Sequence, residues 1–427
     1  MQQTFTTLIG KAVRKLAQAR GGGSALPGLF VEKIDPHFTA RTLEQLPRGV
    51  VLISGTNGKT TTTKMVVELL EGQGLTVFTN RTGSNFTRGV AAALLGAVDR
   101  HGKLDADIAV LELDEAHAVH FVRAVAPRYC LLLNVMRDQL DRFGEIDKTA
   151  DLLHIIARET TDGVVVNRDD PRLGSQEFVS DLRAKITSFG VDPTLLRQFP
   201  TDDTMRSQEE IATTKTILKS DGTSLKSFHA QHATISFDGK DHAVALKLKG
   251  IYNIQNATGA VALTRLIMGD TLNIKQMLAS LANVTPAFCR GETVLIDGQP
   301  CEMVLVKNPS GFRLSLTSFS PSGYATMIAI NDAYADGRDM SWLWDVEFES
   351  LRDEGVVAIS GVRCYDMALR LQYDEVEVGH VDQDLASSLE YLFSHSAGKP
   401  KRIFCTYTAM LAIRRELAKQ TNVEVIR

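Results

Sequence analysis

The chain has 427 residues, enough for two or three domains, and 44% of them are hydrophobic, which predicts a folded protein with proper cores. Its 47 basic and 51 acidic residues give a net charge of −4, so bulk electrostatics give no reason to expect a nucleic-acid partner. Five cysteines without a C-x-x-C pair speak against a disulfide framework, and the chain lacks the apolar run of about 18 residues that would predict a membrane-spanning helix.

The N-terminal stretch FTTLIGKAVRKLAQAR has apolar residues at helical spacing, with several basic residues among them. An ordinary helix docked on the protein is the favoured interpretation. Contact with an anionic membrane surface is the alternative.

A phosphate-binding loop is predicted in VVLISGTNGKTTTTKMVVELL, where an apolar strand, a glycine-rich turn and a helical pattern follow one another. Gly55 and Gly58 would let backbone N–H groups of the loop, which includes Thr56 and Asn57, turn towards an anion. Lys59 would reach the terminal phosphates, and a threonine hydroxyl, from Thr60 or Thr61, would bind Mg²⁺. Ile53 stands where the usual pattern has its first glycine, yet strand, loop and helix together predict a nucleotide triphosphate site.

Further along the chain, apolar strand-like runs that end in polar or acidic residues alternate with helical patterns, which predicts an α/β fold with a parallel sheet. The polar stretch 195–240 is expected to be a small excursion or flexible insertion. The helix pattern GIYNIQNATGAVALTRLI follows, and four more strand-like runs begin near residue 300. We therefore expect one domain over 1–294, including that insertion, and a second α/β domain over 295–427.

These motifs resemble those of the Mur ligases. The resemblance rests on G-T-N-G-K-T-T, E-L-D-E-A, N-V-x-x-D-x-L-D, N-x-D-D-P, G-x-x-N-x-x-N-A and R-G-E in the first part of the chain. In the second part, VKNPSGF, NDAYADGRDMSWLWDVEFE, SGVRCYDMALRL and TYTAML resemble the MurT group, the ligase-like subunits of lipid II isoglutaminyl synthase. The resemblance covers nearly the whole chain and is weakest over 195–240.

The resemblance implies a central P-loop ATPase domain like that of Mur ligases, followed by a C-terminal Rossmann-like α/β domain. It also implies ATP and Mg²⁺ as cofactors and a GatD-like glutaminase as the partner subunit. The reaction it implies is activation of the α-carboxylate of D-glutamate in lipid II as an acyl phosphate, followed by amidation with ammonia from that partner.

Glu112 ends an apolar strand, where a buried carboxylate is costly unless it has a cation. With Thr60 it is the predicted Mg²⁺ ligand, although a solvent-facing acid is the alternative. Asp114 and Glu115, on the loop that follows, are further candidates for the metal or for supporting contacts.

Asn253 and Asn256 lie three residues apart and therefore share a helix face, where their amides could hold the adenine or ribose. The resemblance adds Arg290, which would reach the nucleotide. A helix cap for Asn253 and an ordinary ion pair for Arg290 are the alternatives.

Two departures from the wider Mur ligases bear on the nucleophile. In the first, Gln139 replaces the histidine of the D-H-L-D motif. In the second, the carbamylated lysine of the amino-acid-adding members has no counterpart here, because Lys148 comes too early in the chain and His154 stands near the expected place. Both departures favour ammonia over an amino acid. The absence of cysteine between Cys130 and Cys289 excludes the four-cysteine zinc ribbon of several MurT proteins, so no zinc is expected.

Three histidines in or near the insertion, His229, His232 and His242, lack companions at ligand spacing and are interpreted as surface residues.

The stretch DAYADGRDMSWLWD contains the candidates for the last chemical step, Asp339 and Asp345. One of them would handle ammonia at the acyl phosphate, or would orient a catalytic histidine of the glutaminase. Asp336 and Gly337 read as a turn. Trp342 and Trp344, which flank Leu343 later in the same motif, are predicted equally well as interface anchors or as core residues.

The sequence thus predicts an ATP-dependent carbon–nitrogen ligase in which Lys59, Asp339 and Asp345 are the catalytic candidates. A stand-alone amino-acid ligase of Mur or folylpolyglutamate type and a non-catalytic nucleotide-binding scaffold are the alternatives. A reducing cytoplasm is the expected setting, with peripheral contact at the inner face of the plasma membrane as an option.

Overall fold

The computed structural model describes residues 2–19, 26–80, 87–137, 146–201, 218, 222–285, 292–296 and 298–419. The chain divides into two compact units, the first made of residues 1–136, 146–248 and 252–285 and the second of residues 137–145, 249–251 and 286–427. The predicted boundary after residue 294 falls within a strand of the second unit, Glu292–Ile296, and the functional domain limits stay a prediction.

The first unit is built on a nine-stranded sheet in the order β2-β3-β1-β4-β5-β6-β7-β8-β9. Its strands are β1 (Val50–Ser54), β2 (Val77–Thr79), β3 (Ile108–Glu112), β4 (Tyr129–Leu132), β5 (Gly163–Asn167), β6 (Lys185–Val191), β7 (Thr223–His229), β8 (His232–Phe237) and β9 (Lys240–Ala245). The pairs from β2 to β7 are parallel, whereas β8 runs antiparallel to both of its neighbours. The predicted parallel α/β sheet is confirmed.

Ten helices surround this sheet in the described part of the unit. They are α1 (Gln2–Ala19), α2 (Leu26–Ile34), α3 (Phe38–Leu43), α4 (Lys59–Gly72), α5 (Thr87–Ala97), α6 (Glu115–Ala124), α7 (Ile146–Glu159), α8 (Gln176–Val179), α9 (Ile251–Met268) and α10 (Ile274–Asn283). The central strands β1, β3 and β5 are buried at every position, as expected for a parallel sheet with helices on its faces.

The second half of the stretch 195–240, which was predicted to be an excursion or a flexible insertion, is part of the main sheet. Residues 223–240 contribute β7 and β8, which pair in the main sheet instead of forming an irregular excursion. Alternate residues of β8 are buried, such as Ala233, Ile235 and Phe237, while the residues between them are more exposed. A strand buried on one face carries many polar residues, which is why composition suggested an insertion.

The second unit is a six-stranded sheet in the order β10-β11-β15-β12-β13-β14. Its strands are β10 (Glu292–Ile296), β11 (Gln299–Leu305), β12 (Ala325–Ala329), β13 (Val356–Ser360), β14 (Val378–Asp382) and β15 (Lys401–Cys405), and its helices are α11 (Pro309–Ser318), α12 (Cys364–Tyr373), α13 (Leu385–His395) and α14 (Tyr407–Leu417). Every pairing is parallel except that of β10 with β11.

The sheet of the second unit has a core on each face. In β15, Phe404 packs in one hydrophobic cluster while its neighbours Ile403 and Cys405 pack in the other. Alternation of this kind places helices on both faces, as the predicted Rossmann-like domain requires. Across the described residues, every helix is too short or too polar to span a membrane.

Candidate nucleotide site in the first unit

The predicted loop lies between β1 and α4, at the carboxyl end of the sheet. Gly55 and Gly58 have backbone φ angles of +128° and +89°, in the left-handed region that glycine adopts readily. Gly58 directly precedes α4, whose first residue is Lys59. The loop therefore aims the N-terminus of a helix at the strand ends, an arrangement that binds anions.

Asn134, which follows β4, holds the loop in place. Its amide oxygen accepts from the Asn57 backbone N–H at 2.9 Å, and its amide nitrogen donates to the Asn57 carbonyl at 3.0 Å. The Thr56 N–H donates to the Asn134 carbonyl at 3.0 Å, and the Thr56 hydroxyl accepts from the Met136 N–H at 3.0 Å. Sequence reasoning assigned Asn134 no role, although it begins the quoted N-V-x-x-D-x-L-D motif.

Lys59 is buried inside the loop, with 7% of its surface exposed. Its Nζ donates to the Gly55 carbonyl at 2.6 Å and to Oε1 of Glu115 at 3.2 Å. Glu115 is itself 2% exposed and stands in the first turn of α6, where a carboxylate is favoured by the helix dipole. Glu115, predicted as a candidate for the metal or for supporting contacts, is thus the ion-pair partner of Lys59.

Thr60 and Glu112 lie together, as their predicted shared role requires. The Thr60 hydroxyl is 2.8 Å from Oε1 of Glu112, and the Glu112 backbone is held by paired hydrogen bonds of 2.9 and 3.0 Å with the Asn80 amide. Glu112 is 7% exposed, so the alternative of a solvent-facing acid does not fit. Thr61, the other threonine considered, is buried at 4% exposure.

These oxygen donors fit Mg²⁺, which commonly takes one or two protein oxygens and completes its shell with phosphate and water. Among the described residues, no group of three or more His, Cys, Asp or Glu side chains could hold a metal ion. The assignment of Thr60 and Glu112 to a metal stays a prediction.

The two asparagines of α9 are both buried, at 6% exposure each, so neither is a surface residue. The Asn256 amide packs directly against the loop, because a Cβ added at Gly58 would lie 2.7 Å from its Nδ2 atom. Asn253 lies one turn earlier on α9. This contact brings Asn256 to the phosphate loop, while its role in nucleotide binding stays a prediction.

Several candidates do not join this cluster. Arg290 and Gln139 lie outside the described residues. Lys148 is exposed on α7, and the His154 ring is 2.8 Å from Oδ1 of Asp181. His154 therefore has a carboxylate partner of its own.

The histidines near the insertion mostly face solvent. His229 and His232 are exposed at the turn between β7 and β8. His242 is half-buried and stacks on Phe237, with 4.1 Å between ring centroids. The prediction of surface histidines is confirmed for the first two.

Comparison with known proteins shows the family of the chain. The sequence profile of the Mur ligase middle domain matches residues 53–264, and that of the MurT ligase C-terminal region matches residues 305–410. The lipid II isoglutaminyl synthase (glutamine-hydrolyzing) subunit MurT of Streptococcus pneumoniae R6 is 30% identical, over 99% of this chain and 98% of that protein. The chain belongs to the MurT family. The MurT subunit of Staphylococcus aureus COL is 28% identical over 88% of this chain and 89% of its own length.

Solved structures confirm the predicted Mur ligase fold for this MurT-family chain. MurF from Acinetobacter baumannii superimposes with a TM-score of 0.67 at 17% identity, covering 92% of this chain and 80% of MurF. MurF from Thermotoga maritima, solved in complex with ADP, gives a TM-score of 0.65 at 17% identity and covers 92% and 85% of the two chains. At this identity the likeness concerns the fold alone.

The MurT C-terminal match contains both candidate aspartates, in the second unit. Asp345 forms an ion pair with Arg137, with 2.8 Å between Oδ2 of the aspartate and Nη1 of the arginine. Asp339 accepts from the Ser341 N–H at 2.9 Å, and hydrogen bonds from the Ser341 hydroxyl and N–H lower the pKa of Asp339. The two carboxylates therefore have different partners, and their roles stay predictions.

The same motif contains the predicted turn. Asp336 is 2% exposed and accepts from the Thr408 N–H at 2.7 Å, and Gly337 has a φ of +87°. The turn is therefore confirmed, and Asp336 serves to tie it to the start of α14.

The two tryptophans of the MurT motif have separate roles. Trp342 is 7% exposed and packs in a core cluster of the second unit, edge-on to Phe312. Trp344 is 48% exposed, and its ring contacts that of Tyr373 with 5.2 Å between centroids. The core interpretation is right for Trp342, while Trp344 faces outwards.

Sequence reasoning also missed a carboxylate at the end of β12. Asp332 pairs with Arg363 at 2.8 Å, and Arg363 pairs in turn with Asp366 at 3.1 Å. Asp332 stands in the quoted NDAYADG motif, but its partner lies 31 residues away, so the motif alone could not show the pair.

Proposed function

We propose that this chain is the synthetase subunit of a lipid II isoglutaminyl synthase. It would use ATP to activate the α-carboxylate of D-glutamate in the lipid II stem peptide as an acyl phosphate and amidate it with ammonia. The observation that carries the proposal is the grouping of buried Lys59 and Glu112 with half-buried Thr60 at a loop that begins a helix, in a chain that belongs to the MurT family throughout its length.

The chain's own residues would hold the nucleotide as follows. The N–H groups of the loop would bind phosphate oxygens, and Lys59, held in place by its ion pair with Glu115, would neutralise charge at the β- and γ-phosphates. Thr60 and Glu112 would hold Mg²⁺, which would supply screening of the negative charge on the transferred γ-phosphoryl group. Asn253 and Asn256, together with Arg290, would position the nucleoside.

Burial of the cysteines supports an external source of ammonia. Cys130, Cys301, Cys364 and Cys405 are all buried, and burial raises the pKa of Cys130 and Cys301 to about 12. A buried sulfur is out of reach of glutamine, and a thiol of high pKa is also a poor nucleophile at neutral pH, so none of these four described cysteines suits a glutaminase reaction. We infer that ammonia comes from a separate, GatD-like glutaminase subunit.

We assign to Asp339 the role of orienting the catalytic histidine of that partner subunit. A carboxylate that orients a histidine must be able to accept a hydrogen bond from it, and the described partner of Asp339 is the neutral Ser341 and not a cation. Asp345, in contrast, is already bound to Arg137.

A surface on α12 offers a docking face for the same partner. Tyr365, Leu369 and Tyr373 follow one another at four-residue spacing on this helix and are 64%, 47% and 70% exposed. Trp344, 48% exposed, extends the apolar stripe through its contact with Tyr373. An exposed stripe of aromatic and aliphatic side chains is typical of protein interfaces. The relatives are named as subunits, which implies a second chain.

The nitrogen source tests the proposal directly. The purified chain with ATP, Mg²⁺ and lipid II should amidate with ammonium salt but not with glutamine, and added glutaminase should restore the use of glutamine. Consumption of an amino acid in preference to ammonia would overturn the proposal and favour the amino-acid ligase. Lack of any ATP turnover would favour the scaffold.

The two aspartates are separated by the same assay. Asp339→Asn should remove glutamine-dependent activity of the complex and spare ammonium-dependent activity, whereas a residue that handles ammonia would affect both. Glu347→Gln, at a carboxylate 71% exposed, is the control. If Asp345→Asn shows the selective loss instead, the assignment to Asp339 is wrong.

The docking face is tested by co-purification with the glutaminase. Leu369→Asp should abolish the complex, whereas Leu295→Asp, at a leucine that is 62% exposed on β10, should leave it intact. Retention of the complex by Leu369→Asp would exclude α12 from the interface.

A further inference from the structure

Helix α1 turns its apolar side to solvent. Phe5, Leu8 and Leu16 are 62%, 53% and 62% exposed, and at 100° per residue they fall along one side of the helix with the exposed Ala12 between them. An amphipathic helix docked on a protein normally buries this side.

The polar side of α1 is the one that packs against the protein. Thr6 and Thr7 are 2% and 0% exposed, and the Thr6 hydroxyl donates to Asp35 at 3.0 Å. Gln3 donates to the Gly102 carbonyl at 3.0 Å, farther along the unit. The orientation of the helix is therefore fixed by polar contacts that face inwards.

Two more contacts keep the helix from rotating. Lys11 donates to the Val98 carbonyl at 2.5 Å. Gly10 allows a close approach, since a Cβ at that position would lie 2.6 Å from Leu95 and 2.8 Å from Val31. Burying the apolar side would break these contacts, so its exposure belongs to the folded unit.

Helix α2, which packs against α1, repeats the arrangement. Leu26, Phe30 and Ile34 are 54%, 38% and 42% exposed at four-residue spacing. The opposite side of α2 packs inwards at Val31 and at Gly28, where a Cβ would lie 1.9 Å from the Arg88 carbonyl oxygen. Two packed helices thus each expose an apolar stripe.

The charged residues directly beside these two stripes are lysines. Lys11 and Arg14 of α1 face the protein, at Val98 and Gly96, and Glu32 of α2 pairs with Arg88. Lys15 is exposed beside Leu16, and Lys33 is exposed beside Ile34. Apolar stripes flanked by lysine match the boundary of a bilayer with anionic headgroups. A symmetric contact with a second copy would instead bring these lysines towards their own counterparts.

We propose that α1 and α2 form a membrane-docking surface that lies in the interface of an anionic bilayer. The apolar side chains of both stripes would enter the acyl boundary, and the flanking lysines would contact the headgroups. The inference rests on the N-terminal helices alone and does not depend on the catalytic assignment.

Flotation of the full chain with lipid vesicles tests this surface. The chain should float with vesicles that contain phosphatidylglycerol and much less with vesicles of phosphatidylcholine alone, and added salt should weaken the binding. Leu16→Ser should weaken vesicle binding about tenfold. Leu295→Ser, which changes a leucine of the same 62% exposure in the second unit, should bind as the unmodified chain does.

Lys15→Gln gives an independent measure, because it should weaken binding about fivefold on phosphatidylglycerol vesicles only. Both first-unit variants change exposed side chains and should keep the Tm of the unmodified chain. Failure of the unmodified chain to float with phosphatidylglycerol vesicles would overturn the proposal. So would equal losses in Leu16→Ser and Leu295→Ser, or a dimer that Leu16→Ser dissociates while vesicles are not bound.

Discussion

Replacing Lys59 by alanine should destabilise the first unit as well as remove nucleotide binding. The Lys59 ammonium lies 3.2 Å from the Glu115 carboxylate, and both side chains are less than 10% exposed. At an effective dielectric constant of about 20, attraction across 3.2 Å amounts to about 5 kcal/mol. The dipole of α6 stabilises Glu115 with or without Lys59 and therefore does not change the difference. Removing one partner of a buried ion pair typically costs about 3–5 kcal/mol, so Lys59→Ala should lower the free energy of unfolding by about 4 kcal/mol.

The loss arises mainly because Glu115 would stay buried without this cation. The double variant Lys59→Ala/Glu115→Gln should therefore regain about 2 kcal/mol of the free energy of unfolding, while the bonds of Lys59 to the loop carbonyls stay lost. Neither variant should bind ATP. Urea denaturation gives the free energies, and calorimetric titration with Mg²⁺-ATP gives the binding.

The control is Lys64→Ala, on the next turn of the same helix. Lys64 pairs with Glu68 at 3.7 Å, but these side chains are 32% and 30% exposed, so the change should cost about 0.5 kcal/mol or less. An unfolding midpoint of Lys59→Ala equal to that of the unmodified chain would refute the reasoning. A further loss on adding Glu115→Gln would refute it as well.

Two further substitutions test the loop and the aspartate motif. In urea denaturation, Gly58→Ala should lower the free energy of unfolding by about 1–3 kcal/mol more than Gly74→Ala does, because both glycines have φ near +90° but only Gly58 faces the Asn256 amide. Equal losses in the two variants would contradict that contact. Since Ser341 lowers the pKa of Asp339, the ionised carboxylate stabilises the fold above its unfolded pKa, and this contribution is lost as the pH falls through the folded pKa. Asp339→Ala should therefore lower the free energy of unfolding by about 1 kcal/mol near neutral pH and by progressively less below about pH 4. A loss of stability that does not change with pH would show that the ionised carboxylate of Asp339 does not stabilise the fold.

The elements that form the candidate nucleotide site could be predicted from sequence because their signals are local. The loop, the strand before it and the helix after it occupy residues 50–72, and Glu112 ends a strand of uniform apolar character. Which side chains meet depends on the strand order of the sheet. Lys59 and Glu115 are 56 residues apart, and no spacing rule connects them.

Exposure was the harder property to predict. Trp342 and Trp344 stand two residues apart in one motif, and only the packing of the second unit separates the buried ring from the exposed one. The N-terminal helix had a recognisable apolar side, but hydrophobic periodicity does not say whether that side faces the core. Its orientation follows from inward contacts such as those of Thr6 and Gly10.

The ends of the nine-stranded sheet bear on the solubility of the folded chain. An open edge presents unpaired N–H and C=O groups that can recruit a strand from another molecule and start aggregation. At one end β2 is only three residues long, and at the other β9 begins with Lys240 and Asp241, both exposed. Short length and charge are two ways in which natural sheets block such pairing. The charged residues that begin β9 thus disfavour pairing of this edge with a strand of another molecule.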